Sequence, residues 1–207
     1  MKKLSFLIVI VCLITGQSVN AQFEKGKIMA GVTSAISSGC GDYGTSLLSF
    51  GVMTIKYKSS SGESSEGDKG FVFNLMPRVG YFIIDNLVVG ADLLVGYYSM
   101  KDDEGDKWTE TTLGIGPFVR YYYPLEKIYP FVEANLAFGT FREKEDSYDW
   151  KEGLFMYGFG VGASLPLGEK VMLDSMLGYG SQTYKDEDDF KYIYGNFGLR
   201  VGFIVLF

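Results

Sequence analysis

A chain of 207 residues has room for one domain, and its net charge of −6 comes without a single histidine. The commonest general base is therefore missing, and an acidic chain lacking a basic stripe is a poor match for nucleic acid.

The first element is an export signal. Lys2 and Lys3 precede an apolar core at residues 4–14, and Val19-Asn20-Ala21 offers a small-residue cleavage site before Gln22. That core is shorter than the roughly 20 apolar residues a membrane-spanning helix needs. Residues 1–21 are read as a signal peptide and residues 22–207 as one domain. Cleavage removes two lysines and no acids, so the charge falls from −6 to about −8. Cys12 sits inside the apolar core behind Ile10 and Val11, which does not suit a lipidated cysteine. Only Cys40 survives processing, and a single thiol closes no internal disulfide. It is read as an incidental loop residue.

From there to the end the pattern is period-two alternation broken by turn residues, about eight times over. Successive side chains of a strand point to opposite faces, so this period means strands. The first, near residues 27–37, is the least regular. In the next, Phe71, Phe73, Leu75, Val79 and Tyr81 share one face, and Asn74, Met76, Arg78 and Gly80 the other. After a tight turn at Asp85-Asn86, Leu87, Val89, Leu93, Val95 and Tyr97 oppose Gly90, Asp92 and Gly96. Leu113, Ile115, Val119, Tyr121 and Tyr123 oppose Gly114, Gly116 and Arg120; Val132, Ala134, Leu136 and Phe138 oppose Glu133, Asn135 and Gly139. Phe155, Tyr157, Phe159 and Val161 oppose Gly158, Gly160 and Gly162. Val171, Leu173, Leu177 and Tyr179 oppose Asp174, Met176 and Gly178. Phe197, Leu199, Val201, Phe203, Val205 and Phe207 oppose Gly198, Arg200 and Gly202.

A soluble barrel would need a densely polar second face. Here that face is mostly glycine and small residues with about one charge per strand, which suits a crowded interior. Aromatics mark both rims of the bulky face: Tyr81, Tyr123 and Phe207 at one, Tyr97, Phe138, Tyr157 and Tyr179 at the other. Connections near 83–86, 124–128 and 166–170 are short; those near 39–70, 102–107, 143–152 and 182–191 are longer and more charged. The expectation is an all-β, eight-stranded antiparallel up-and-down transmembrane β-barrel, with long loops outside the cell and both termini in the periplasm. Pro77 and Pro117 each forfeit a ladder hydrogen bond and predict a local bulge or bend.

The runs from Phe71 to Phe82 and from Asp85 to Gly90, and the run Gly116, Pro117, Phe118, Val119, Arg120, Tyr121, Tyr122, Tyr123, Pro124, resemble the small outer-membrane-protein β-barrel domain family, with barrels of the OmpX and OmpA type. The likeness covers nearly the whole mature chain. It implies residence in the outer membrane of a Gram-negative bacterium among lipids and lipopolysaccharide, and passage by periplasmic chaperones and the barrel assembly machinery. Phe203, Val205 and Phe207 resemble the signal that machinery reads. The family has no shared catalytic residues to carry over.

Facing residues of a hairpin have a constant number sum. Arg78 and Asp92 are symmetric about Asp85, Arg120 and Glu133 about the Glu126-Lys127 turn, and Asp174 and Arg200 about Glu187. All six have inward parity at a similar height, which predicts one charged layer across the lumen. The residue facing Asp174 across its other turn is expected near Gly162. Such a layer either plugs the barrel or forms a selectivity filter; an eight-stranded barrel barely holds its own side chains, which favours the plug. Gly158, Gly160 and Gly162 alternate within a strand and precede no helix, so they make room for Tyr122 or an arginine rather than cradle a phosphate.

The loops carry acidic clusters at Asp102, Asp103 and Glu104, and at Asp186, Glu187, Asp188 and Asp189. They read as solvated faces, with divalent-cation binding as the alternative; none has the spacing of a helical calcium loop. The apolar, strand-like stretch at residues 45–58 is expected either to extend the wall or to present a contact surface. No cofactor or metal motif stands out. Two non-enzymatic functions follow: a closed scaffold displaying loops for binding or adhesion, or a narrow porin-like channel for ions or small solutes.

Overall fold

The computed structural model describes residues 23–33, 49–58, 64–101, 106–125, 127–145, 148–185 and 191–207. The expected signal peptide, Cys40 and both named loop clusters (Asp102, Asp103 and Glu104; Asp186, Glu187, Asp188 and Asp189) lie outside the described residues.

Among the described residues the alternating segments form nine strands: β1 (Ile28–Thr33), β2 (Ser49–Lys58), β3 (Ser64–Ile84), β4 (Leu87–Lys101), β5 (Lys107–Tyr122), β6 (Tyr129–Glu145), β7 (Tyr148–Pro166), β8 (Val171–Lys185) and β9 (Lys191–Leu206). They occupy eight positions, because β1 and β2 share one neighbour. Ile28 to Thr33 faces Tyr81 to Met76 on β3, and Ser49 to Lys58 faces Asn74 to Ser64 further along the same strand. The remaining neighbours follow chain order, and β1 pairs antiparallel with β9 from Met29 opposite Leu206 to Thr33 opposite Gly202. The sheet is thus a closed eight-stranded antiparallel barrel.

Register follows the turns. Ile84 faces Leu87 across Asp85-Asn86, Asn86 takes the left-handed conformation with φ 64°, and the ladder shifts by one residue between Phe82 and Ile84. The ladder between β5 and β6 skips Gly116 and Pro117, and that between β3 and β4 skips Met76 and Pro77. Both gaps fall at a proline, which has no N–H to give.

The long connections are shorter than alternation suggested. Strand pairing continues to Lys101 opposite Lys107, Glu145 opposite Tyr148 and Lys185 opposite Lys191. Residues 39–70 contain all of β2 and the start of β3, so part of the apolar stretch at 45–58 extends the wall. These upper segments are rich in charge and threonine and lose the apolar signature, yet their ladders persist.

Burial divides by parity. Val79, Leu93, Ile115, Val132, Phe159, Val161 and Leu199 face outward and are exposed. Met76, Phe118, Tyr122, Phe131, Met176 and Ile204 face inward and are buried. An apolar outer surface around an interior that holds the buried charges inverts a water-soluble barrel and matches a lipid-facing one. No helix among the described residues is long and apolar enough to cross a membrane.

Candidate functional site

The lumen is filled in layers. At the short-turn end sits an aromatic stopper built around Phe23, which is 1% exposed and precedes every strand. Its ring stacks on Tyr122 with centroids 4.1 Å apart and meets Tyr129 edge-on at 4.8 Å. The segment is pinned to the β3–β4 turn: Asn86 N–H donates to the Phe23 carbonyl (2.8 Å), Lys25 N–H to Asp85 Oδ1 (2.8 Å) and Gly26 N–H to the Phe82 carbonyl (2.9 Å). Alternation could not reveal this, since Phe23 belongs to no strand.

Above the stopper lie Arg78, Asp92, Arg120, Glu133, Asp174 and Arg200, none more than 5% exposed. The fold brings all six together. Arg78 faces Asp92 in the register and donates to it through Nε (2.9 Å) and Nη2 (2.8 Å), a two-pronged contact. Arg120 faces Glu133 and donates to it from Nε at 2.6 Å. Asp174 and Arg200 do not face each other. Asp174 lies opposite Gly202 and Arg200 opposite Met176, because the last loop is centred one residue beyond Glu187. Arg200 instead donates to Glu133 and approaches the Met176 sulfur (3.0 Å). On its other side Asp174 faces Ser164 rather than Gly162, and accepts from its hydroxyl at 2.5 Å. Its second oxygen accepts from Arg120.

Glu133 is consequently a hub. Arg78 donates to it through Nη1 (2.9 Å) and Nη2 (3.0 Å), so one carboxylate receives three guanidiniums. Three arginines, two aspartates and one glutamate leave the layer neutral. Aromatic faces complete it: the Arg120 guanidinium carbon lies 3.9 Å from the Phe131 centroid, and that of Arg78 lies 4.3 Å from Phe118. Arg120 Nη1 also donates to the Tyr122 hydroxyl (2.7 Å), coupling layer to stopper. The glycines make room for nearer neighbours than expected. A Cβ on Gly162 would stand 2.5 Å from the Phe131 ring, and one on Gly160 2.6 Å from the Met176 methyl.

Beyond the charges, Met76, Leu94, Ala137, Leu154, Met156 and Tyr184 form a second apolar cluster. Higher still, Glu110 faces Glu143 across β5 and β6. Sequence symmetry does not single out this pair, because both residues are acids and offer no complementary charge. Glu110 is 4% exposed, and its Oε2 has no hydrogen-bond partner. It stands twelve residues from the short-turn end of β5, beyond the 9–11 residues that cross a bilayer. Burial, and then the Glu143 charge, push its carboxyl up to about 7. The folded state therefore holds this proton more tightly than the unfolded chain. Its contribution is complete below about pH 4.5 and is lost as pH rises through about 7. Urea unfolding of the Glu110→Gln barrel across that range should show the decline removed.

Phe203 and Val205 face outward on the closing strand, and Phe207, one residue past its end, is 64% exposed.

Comparison with solved structures returns small outer-membrane barrels. Neisserial surface protein A is 17% identical with a TM-score of 0.44, covering 86% of this chain and 95% of that one. The N-terminal barrel domain of Pseudomonas aeruginosa OprF is 11% identical with a TM-score of 0.41 over 88% and 98%. OprG from Pseudomonas aeruginosa is 14% identical with a TM-score of 0.41 over 89% and 97%. No curated protein matches the chain in sequence. The profile of the outer membrane protein beta-barrel domain matches residues 8–204, and the chain belongs to that family.

Proposed function

We propose that this protein is a closed, non-enzymatic scaffold of the outer membrane that displays its extracellular loops for binding or adhesion. The observation that carries the reading is the neutral ionic layer lodged in the lumen between the aromatic stopper and the second apolar cluster. Narrow eight-stranded barrels leave no more room than their own side chains occupy. The six charged residues act here as a plug, since each is satisfied by its neighbours and none is left to attract a passing ion. Strand pairs that run on past the apolar band into a charge-rich rim at one end, with the Phe23 stopper at the other, support an extracellular rim at the first end and a periplasmic one at the second. The partners are outer-leaflet lipids and lipopolysaccharide, any ligand taken by the loops, and the chaperones and assembly machinery of biogenesis, for which Phe203, Val205 and Phe207 form the reading edge. Asp102 to Glu104 and Asp186 to Asp189 are solvated loop charges in this scheme.

Planar-bilayer recording tests it. The refolded wild type should be silent, and Arg120→Ala with Glu133→Ala should leak. Discrete wild-type steps with an ion selectivity that these substitutions alter would make the layer a filter and the protein a narrow channel.

A further inference from the structure

Two buried side-chain atoms among the described residues have no hydrogen-bond partner, Glu110 Oε2 and Trp108 Nε1. Their residues are two apart on β5, which puts them on one face with Cα atoms about 7 Å apart. One atom is an acceptor and the other a donor. The charges of the ionic layer below, by contrast, all have partners.

The register sets aromatic rings on either side of the acids. Tyr98 faces Glu110, Glu110 faces Glu143 and Glu143 faces Trp150, one row across β4 to β7. In the row above, Trp108 faces Glu145; in the row below, Phe141 faces Glu152. The rings of Tyr98 and Trp108 meet edge-on with centroids 5.7 Å apart. All these residues have the inward parity, whereas the bases of the same strand segments, Lys101, Lys107, Arg142, Lys144 and Lys151, have the outward one. On these four strands the upper inner wall is acidic and aromatic, with no cation of its own.

A metal ion fits such a wall poorly. Calcium takes about six to eight oxygens, rings occupy both ends of the row, and no group of three acidic, histidine or cysteine side chains among the described residues is placed to hold an ion. An organic ammonium suits carboxylates and ring faces alike. A plain alkyl amine brings no acceptor for Trp108. An amino sugar brings ring and hydroxyl oxygens, and an apolar face of C–H groups for the aromatics. We propose that the inner wall of β4 to β7 at the extracellular mouth binds an amino sugar, its ammonium held by Glu110 and Glu143 and one of its oxygens by the Trp108 indole N–H. This names a ligand class for the binding end of the scaffold, and rests on that reading for the side from which the ligand comes.

The test titrates the full mature chain, refolded in neutral detergent micelles near neutral pH, with an oligomer of glucosamine. Both tryptophans of the chain, Trp108 and Trp150, stand at the site, so a change in their emission reports occupancy there. The wild type should bind this oligomer roughly tenfold or more tighter than its N-acetylated counterpart, which lacks the charge. Glu110→Gln with Glu143→Gln should bind both oligomers equally weakly. Trp108→Phe, read by calorimetry, keeps a ring but loses the donor and should weaken both by roughly fivefold. Glu169→Gln at the other rim should change nothing. Urea midpoints of the variants at or above wild type separate lost binding from lost folding. No binding by the wild type, or equal binding by wild type and the acid-pair variant, overturns the proposal; spermidine bound as tightly as the glucosamine oligomer overturns the sugar. The bilayer recordings decide the closed-scaffold reading independently of each of these results.

Discussion

Glu133→Gln will destabilise the barrel by about 3–5 kcal/mol, the cost of removing one partner from a buried ionic network. The replacement keeps the shape, so the loss is electrostatic. Three guanidiniums converge on this carboxylate, and Arg200 reaches no other acid in the layer. Taking the negative charge away leaves three buried cations against two aspartates. Urea-unfolding midpoints of the chain refolded in lipid vesicles measure the effect. Asp92→Asn should cost less, since Arg78 retains Glu133. A double-mutant cycle between Arg120 and Glu133 should show strong coupling. Independent, additive losses would remove Glu133 from the centre of the layer.

Phe23→Ala should cost about 3 kcal/mol, the low end for a buried phenylalanine because the segment before β1 can detach instead of enclosing a cavity. Its ring fills the short-turn mouth among Phe82, Tyr122 and Tyr129, and nothing else described occupies that volume. Hydrogen exchange at Asn86, whose N–H is held by the Phe23 carbonyl, should accelerate in the variant. Bilayer recordings should stay silent, because the ionic layer above is untouched. Unchanged stability would mean that the segment decorates the barrel rather than seals it.

The strand parity that sorts lipid-facing from lumen-facing residues is legible in the chain because the period is exact and turns such as Asp85-Asn86 announce themselves. Number symmetry across a turn located Arg78 against Asp92 and Arg120 against Glu133, because the registers of those hairpins centre where the turn residues place them, on Asp85 and between residues 126 and 127. It misplaced Asp174 and Arg200, because the five residues between Lys185 and Lys191 centre the loop on Asp188. The hub itself lies beyond such arithmetic. Register relates neighbouring strands, whereas Arg200 and Glu133 meet across the lumen, at a distance set by barrel curvature. Phe23 was hidden for another reason: tertiary burial can seize a residue with no periodic context. Glu143 and Lys185 were read as loop because charge-rich sequence weakens the strand signal while backbone pairing continues.

The wiring of the ionic layer also bears on how the chain reaches its native state. Two of its contacts form within a single hairpin, Arg78 with Asp92 and Arg120 with Glu133. The others join residues 54 to 67 apart in sequence: Arg120 with Asp174, Arg78 with Glu133, and Arg200 with Glu133. A half-built sheet therefore carries arginines whose remaining partners have not arrived, and lipid gives them none. The last strand, β9, brings Arg200 to Glu133 in the same event that joins β9 to β1. Closure and charge satisfaction are one step, so partly assembled barrels gain little and the transition is cooperative: an electrostatic latch that engages only when the ring is complete.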